Sequence, residues 1–277
     1  IILLGGGLLV ALSLHMTGGI DTVRAGLGSI SGEYTSLTSA SGIEVLLGYG
    51  LPMAIGLISG PFGDQCFWQR AFAIRKDRIG RAFFAGALLF ALVPLSMGTV
   101  GFLAAGAGFI VNDAGMVNFE FVSSLLPAWV LVPFLCMIVS GLLSTVDSNL
   151  CAAASLTTDW LGIGKDTVQT SRRTMLCLLA VAIAIANIPG LTVTYLVLFY
   201  GTLRASTLLP TVMTLLGKKL TGKGVFVGVL TALCVGLPIF AYGNLAGLPA
   251  VKAAGSLTTV LSSGIVAAIA SRKAVRV

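Results

Sequence analysis

Apolar residues run through this chain in eight segments, roughly 1 to 16, 43 to 60, 82 to 107, 127 to 158, 174 to 188, 191 to 217, 223 to 243 and 251 to 271. Most approach the 20 or so residues a membrane-spanning helix needs. Each predicts a helix, and the polar residues mostly collect between them. Two segments break that rule. In GLLSTVDSNLCAAASLTTDW, from Gly141 to Trp160, Ser144, Thr145, Asp147, Ser148 and Asn149 interrupt an otherwise apolar helix. In GIEVLLGYGLPMAIGLISGPFGDQCFWQR, from Gly42 to Arg70, Gly48, Gly50, Pro52, Gly56, Gly60, Pro61 and Gly63 crowd one span.

Composition sharpens the class. Hydrophobic residues make up 56% of the 277 and charged residues only 10%, and the mean hydropathy is +1.01. A surface that apolar excludes a soluble domain and points to an all-α polytopic membrane protein. The net charge of +7 suggests an anionic partner until the cations are mapped onto the loops. Arg70, Arg75, Lys76, Arg78 and Arg81 follow the second segment, Lys165, Arg172 and Arg173 the fourth, and Lys218, Lys219 and Lys223 the sixth; Arg272, Lys273 and Arg276 close the chain. No basic residue lies between 109 and 126, and the turn Asn187-Ile188-Pro189-Gly190 carries no charge. This alternation places the second, fourth and sixth loops and the C-terminus in the cytoplasm, with the first segment running outward. The cations orient the chain among membrane lipids, and no nucleic-acid partner is expected.

Ile1 opens directly in an apolar run without a basic leader, so the chain is expected to begin mid-protein. Cys66, Cys136, Cys151, Cys177 and Cys234 form no paired spacing and read as packing residues, and His15 reads as an interfacial imidazole. Gly217 to Gly224 has the glycine and lysine spacing of a phosphate loop, but Gly224 stands where Ser or Thr is required. An intramembrane aspartyl hydrolase would need a second carboxylate facing Asp147, and no other span offers one. The chain is not expected to be an enzyme.

At 100° per residue, Gly141, Ser144, Thr145, Ser148, Ala152 and Ser155 fall on one stripe. Such a face of small side chains and hydroxyl oxygens admits a closely packed helix or a desolvated cation. Asp147 lies on the shoulder of the stripe, where with Ser148 it suits a polar network, and a carboxylate at membrane depth is functional by default. In the glycine-rich span, Gly60-Pro61-Phe62-Gly63 reads as a break in the helix, since proline removes a donor and glycine tolerates non-helical dihedrals. Freed backbone groups at that depth must line a cavity or be buried in protein. The alternative is a helix that ends at Ser59 and enters a loop. Asp64 can cap a short helix beyond, and 64 to 81 then forms a basic cytoplasmic connector whose Phe67, Trp68 and Phe72 suit the interface. Arg204 lies about 20 Å along its helix, near the bilayer middle. There it must pair with a carboxylate, with Asp147 the candidate, or hold an acidic solute.

These motifs resemble the sodium:solute symporters. GDQCFWQRAFAIRKDRIGRA at 63 to 82 is similar to that family's polar-Gln and Gln-Arg segment with its basic connector, and LLSTVDSNLCAAASLTTDW at 142 to 160 is similar to its hallmark helix. The resemblance implies a leucine-transporter-like five-plus-five inverted repeat, of which these residues would supply the last helix of the first repeat, the second repeat and later helices. About eight spans would form a single transmembrane domain over 1 to 277. It also implies a sodium ion bound by the Ser144 and Thr145 hydroxyls and the Gly141 carbonyl, with Gly60, Gly63, Asp64, Gln65 and Arg204 as candidates for contact with a small polar organic solute. The family's remaining sodium ligands come from a first broken helix with no counterpart here, so missing N-terminal helices or a split partner chain would have to supply them. The expected function is sodium-coupled symport, in a bacterial inner membrane, of a solute drawn from sugars, amino acids, urea, carboxylates or vitamins. The alternative is the solute-sensing membrane domain of a signalling protein.

Overall fold

The computed structural model describes residues 2–30, 32, 36, 38–111, 114–161 and 167–275; Ile1, Lys165 and Arg276, which entered the reading of the termini and loop charges, lie outside them. The described residues form helices in the order α1 (Ile2–Thr17), α2 (Ile20–Gly26), α3 (Ala40–Gly63), α4 (Gln65–Ala73), α5 (Ile79–Gly106), α6 (Val117–Leu125), α7 (Ala128–Leu161), α8 (Thr167–Ala186), α9 (Val193–Leu215), α10 (Gly222–Leu245) and α11 (Pro249–Val275). Seven of these helices are long and apolar enough to cross a membrane: α3, α5 and α7 to α11. The first predicted segment is α1, apolar but shorter. The chain is therefore an all-α, multi-pass integral membrane protein.

The helices group into two compact units, one of Ile1–Ser39 with Arg70–Asn187 and one of Ala40–Gln69 with Ile188–Val277. In the first unit, Leu9, Val100, Leu103, Phe121, Val122, Val130, Phe134 and Met137 form the buried core where α1, α5, α6 and α7 meet. Phe109 meets Phe121 edge-on at 5.3 Å between ring centroids, a favoured aromatic geometry. Helix α7 runs for 34 residues, about 51 Å at 1.5 Å per residue. It therefore carries both a buried apolar start and the polar stripe.

In the second unit, glycines set the helix crossings. A Cβ on Gly56 would lie 2.8 Å from the Gly201 Cα, and one on Gly63 would lie 2.7 Å from Thr207 Oγ1. Contacts that advance together along both helices make α3 and α9 parallel. Parallel packing is what the loop charges require of the second and sixth segments. Helices α10 and α11 instead run antiparallel, with Gly228 against Ser263, Gly236 against Thr259 and Gly243 against Val251. The small residues bring the backbones close, which is how helices associate in lipid where apolar burial gives no driving force. Two prolines leave a matching mark. Before Pro52 and before Pro238 the helix widens by one residue, with Leu51 N–H donating to Leu46 and Leu237 N–H to Ala232, five residues back. Proline cannot donate its own bond, and such bulges re-satisfy the freed carbonyls.

The break predicted at Gly60 to Gly63 lies later than expected. Helix α3 carries Pro61 inside it and ends at Gly63, and the chain turns extended at Asp64 (φ −106°, ψ 116°). Ending the helix at Ser59 is likewise not what the chain does. Pro61 forfeits one backbone bond, and the Asp64 N–H closes the final turn on the Gly60 carbonyl at 3.0 Å. A single lost donor is tolerated where a neighbouring helix packs against the turn.

Candidate solute and ion sites

The one-residue break at Asp64 places a carboxylate between two helix ends. Its Oδ1 accepts the Cys66 N–H at 3.0 Å, capping α4 at the second residue of its first turn as a helix N-cap does. Its Oδ2 accepts Arg204 Nη1 at 3.3 Å and the Tyr200 hydroxyl at 3.4 Å. Arg204 in turn lies over the Tyr200 ring, with Cζ 4.4 Å from the centroid. Within the second unit, three side chains from α9 and the α3–α4 junction thus form one cluster. The Asp64 and Arg204 side chains are 14% and 18% exposed. Arg204 Nε is buried without a hydrogen-bond partner.

Glycines make room for this pair. A Cβ on Gly60 would lie 3.3 Å from Arg204 Nη1, and one on Gly63 would lie 3.1 Å from the Arg204 carbonyl. Gly60, Gly63 and Asp64 of the glycine-rich span therefore lie together with Arg204 of α9, which sequence had offered separately. Gln65 begins α4 beside them. Tyr200 was missed, although its position four residues before Arg204 puts both on one helix face. The carboxylate that the structure sets against Arg204 is Asp64, where the sequence offered Asp147 as the candidate.

The other predicted site lies in the first unit. Along α7, Thr145 Oγ1 donates to the Gly141 carbonyl at 3.0 Å, Ser148 Oγ to the Ser144 carbonyl at 2.9 Å and Asn149 Nδ2 to the Thr145 carbonyl at 2.9 Å. Because the Thr145 proton is spent on its own helix, the hydroxyl presents lone pairs outward. Ser144, Thr145 and Asp147 are exposed, and Gly141 and Ser148 partly so. Arg70 Nη2 reaches Ser148 Oγ at 3.4 Å. An all-oxygen donor set of hydroxyls and carbonyl suits a hard cation such as sodium. Three oxygens from one helix turn would make only part of a coordination shell. Among the described residues no group of three or more His, Cys, Asp or Glu side chains could hold a metal ion.

The profile of the sodium:solute symporter family matches residues 1–232, a stretch that holds both sites. The chain belongs to that family. It is also 25% identical over 274 residues to the urea–proton symporter DUR3 of rice (Oryza sativa subsp. japonica), an alignment covering 88% of this chain and 37% of that protein. This symporter-family chain thus spans well under half the length of its plant relative. No solved structure matches it.

Proposed function

We propose that the chain forms part of an ion-coupled symporter that carries a small polar organic solute across a plasma membrane, with its C-terminus in the cytoplasm. The observation that carries the reading is the Asp64–Arg204–Tyr200 cluster at a helix break, in a chain of symporter-family membership. Buried charges and interrupted helices at membrane depth are how secondary transporters present polar groups to a solute. In this reading Gly60, Gly63, Asp64, Gln65 and Arg204 frame the solute path. Sodium is the co-transported ion, held in part by the Ser144 and Thr145 hydroxyls and the Gly141 carbonyl, with further oxygens supplied from outside α7. Asp147 and Ser148 serve as a polar network beside it. Neutral oxygen ligands keep binding weak enough for release on the far side.

The name of the rice relative supports a second reading for the ion alone, a proton in place of sodium. Reconstitution of the full-length protein into vesicles separates the two. Uptake of radiolabelled urea driven by an imposed sodium gradient at equal pH supports sodium, and uptake driven only by a pH gradient supports the proton. Uptake that neither gradient accelerates, tested across a panel of small polar solutes, would remove symport itself.

A further inference from the structure

The turn that leads into α5 carries a charged surface that neither the solute nor the ion site explains. Arg75, Lys76, Arg78 and Arg81 fall between positions 75 and 81 with Asp77 as the one acid among them, and all five residues are exposed. We propose that this turn binds the phosphodiester headgroup of an anionic membrane phospholipid. Its binding is independent of which solute or ion is carried.

Arg78 immediately precedes Ile79, the first residue of α5, and α5 is one of the spans. Its 28 residues reach about 42 Å at 1.5 Å each, more than the hydrocarbon core of about 30 Å, which carries the first turn and Arg81 to headgroup level. Aromatic side chains flank the cations. Phe84, in the second turn of α5, is 70% exposed, and Phe72, near the end of α4, is 79% exposed. Exposed rings beside basic residues suit the boundary between acyl chains and headgroups. A group of four cations at the end of a span is the electrostatic complement of an anionic leaflet.

The turn also holds its guanidiniums in place. The Arg78 N–H donates to the Arg75 carbonyl at 2.9 Å and closes the turn. Asp77 then accepts Arg75 Nε and Nη2, each at 3.2 Å, and Arg78 Nε at 3.4 Å. One carboxylate thus sets two guanidiniums side by side while neutralising only one of them. A guanidinium carries five N–H donors, so the Nη1 group of Arg75 and both Nη groups of Arg78 remain to donate outward. The two unesterified oxygens of a phosphodiester fit such a fork in bidentate fashion. Lys76 and Arg81 add charge around it. Holding the fold does not account for the cluster, because the Arg75, Asp77 and Arg78 side chains are 79%, 55% and 62% exposed and surface ion pairs add little to stability. Orienting the chain in the membrane needs cations, but not a pair of guanidiniums fixed on a shared acid.

The test is lipid selectivity of the full-length protein in phosphatidylcholine vesicles, read as the motionally restricted fraction of trace spin-labelled phosphatidylglycerol against spin-labelled phosphatidylcholine. The parent is expected to prefer phosphatidylglycerol. Arg75→Gln with Lys76→Gln and Arg78→Gln is expected to lower that preference by about fivefold or more, the contribution of one cation at an anionic surface. The substituted residues are exposed, so the variant should fold as the parent does. Lys218→Gln with Lys219→Gln and Lys223→Gln removes the same number of charges from another exposed basic loop and is expected to change the preference much less. Millimolar inorganic phosphate should leave the preference intact. No preference in the parent, an unchanged preference in the connector variant, or an equal loss in the lysine-loop variant would each overturn the proposal. Displacement of phosphatidylglycerol by inorganic phosphate would assign the turn to a soluble anion and overturn it as well.

Discussion

Removing the Asp64 charge tests whether the pair with Arg204 organises the second unit. Asp64→Asn keeps an amide oxygen to cap α4 at the Cys66 N–H, but leaves the Arg204 guanidinium without a counter-ion. Orphaning one member of a buried ion pair costs about 3 to 5 kcal/mol. The low end, about 3 kcal/mol, applies here because the single contact is long at 3.3 Å and both groups keep some exposure. Asp64→Ala also removes the cap and is expected to cost about 1 kcal/mol more. Arg204→Met, which leaves Asp64 its Cys66 and Tyr200 contacts, should be milder at about 2 kcal/mol. If the two side chains interact, Asp64→Asn with Arg204→Met falls short of the sum of the singles by about 2 kcal/mol, within the range for contacting residues. Reversible unfolding in mixed micelles, followed through tryptophan fluorescence, gives these values. Trp68 is a local reporter, since its indole N–H donates to the Phe62 carbonyl at 3.2 Å beside the break. Additivity in this double-mutant cycle would refute the pairing.

Gly56→Ala sets a methyl 2.8 Å from the Gly201 Cα, and overpacking against backbone is expected to cost about 1 to 3 kcal/mol, of which up to about 1 is offset by the better helix propensity of alanine; a lowered melting temperature in detergent is the readout. Gly86→Ala, where an added Cβ meets nothing within 4 Å, is the control and should melt no lower than the parent. Thr221 caps α10 by accepting the Gly224 N–H at 3.1 Å, so Thr221→Ala is expected to cost about 1 kcal/mol and to speed amide hydrogen exchange in the first turn of α10.

The spans were legible because their signal is local: a run such as Val193–Leu215 is helical in lipid whatever it packs against, since its backbone can be satisfied no other way. The parallel pairing of α3 with α9 was legible in part, through the alternation of loop charge, although which glycines would touch was not. Helix ends were harder. Pro61 and its flanking glycines looked like the break, yet contact of Gly60 and Gly63 with Arg204 and Thr207 keeps the turn helical and defers the break to Asp64. Tertiary contact outweighed local propensity there. The partner of Arg204 lay beyond sequence reading because it depends on which helix packs beside α9, and Asp64 comes to Arg204 only through the α3–α9 packing. The two bulges before Pro52 and Pro238 carry a shared Gly-Leu-Pro signal that marks where a span widens. On α7, by contrast, the stripe was fully predictable, being set by helical periodicity alone.

In the proposed function, solute movement is coupled to an ion held at the α7 stripe. Sodium activation of solute uptake by the full-length protein in sealed vesicles, compared between the parent and Ser144→Ala with Thr145→Ala, tests it most directly. The double substitution removes two hydroxyl oxygens while leaving the helix small-faced and apolar, so folding should survive. The parent is expected to show saturable sodium activation, and the variant to require far higher sodium or to lose the dependence. Uptake by the variant with an unchanged sodium response would contradict it.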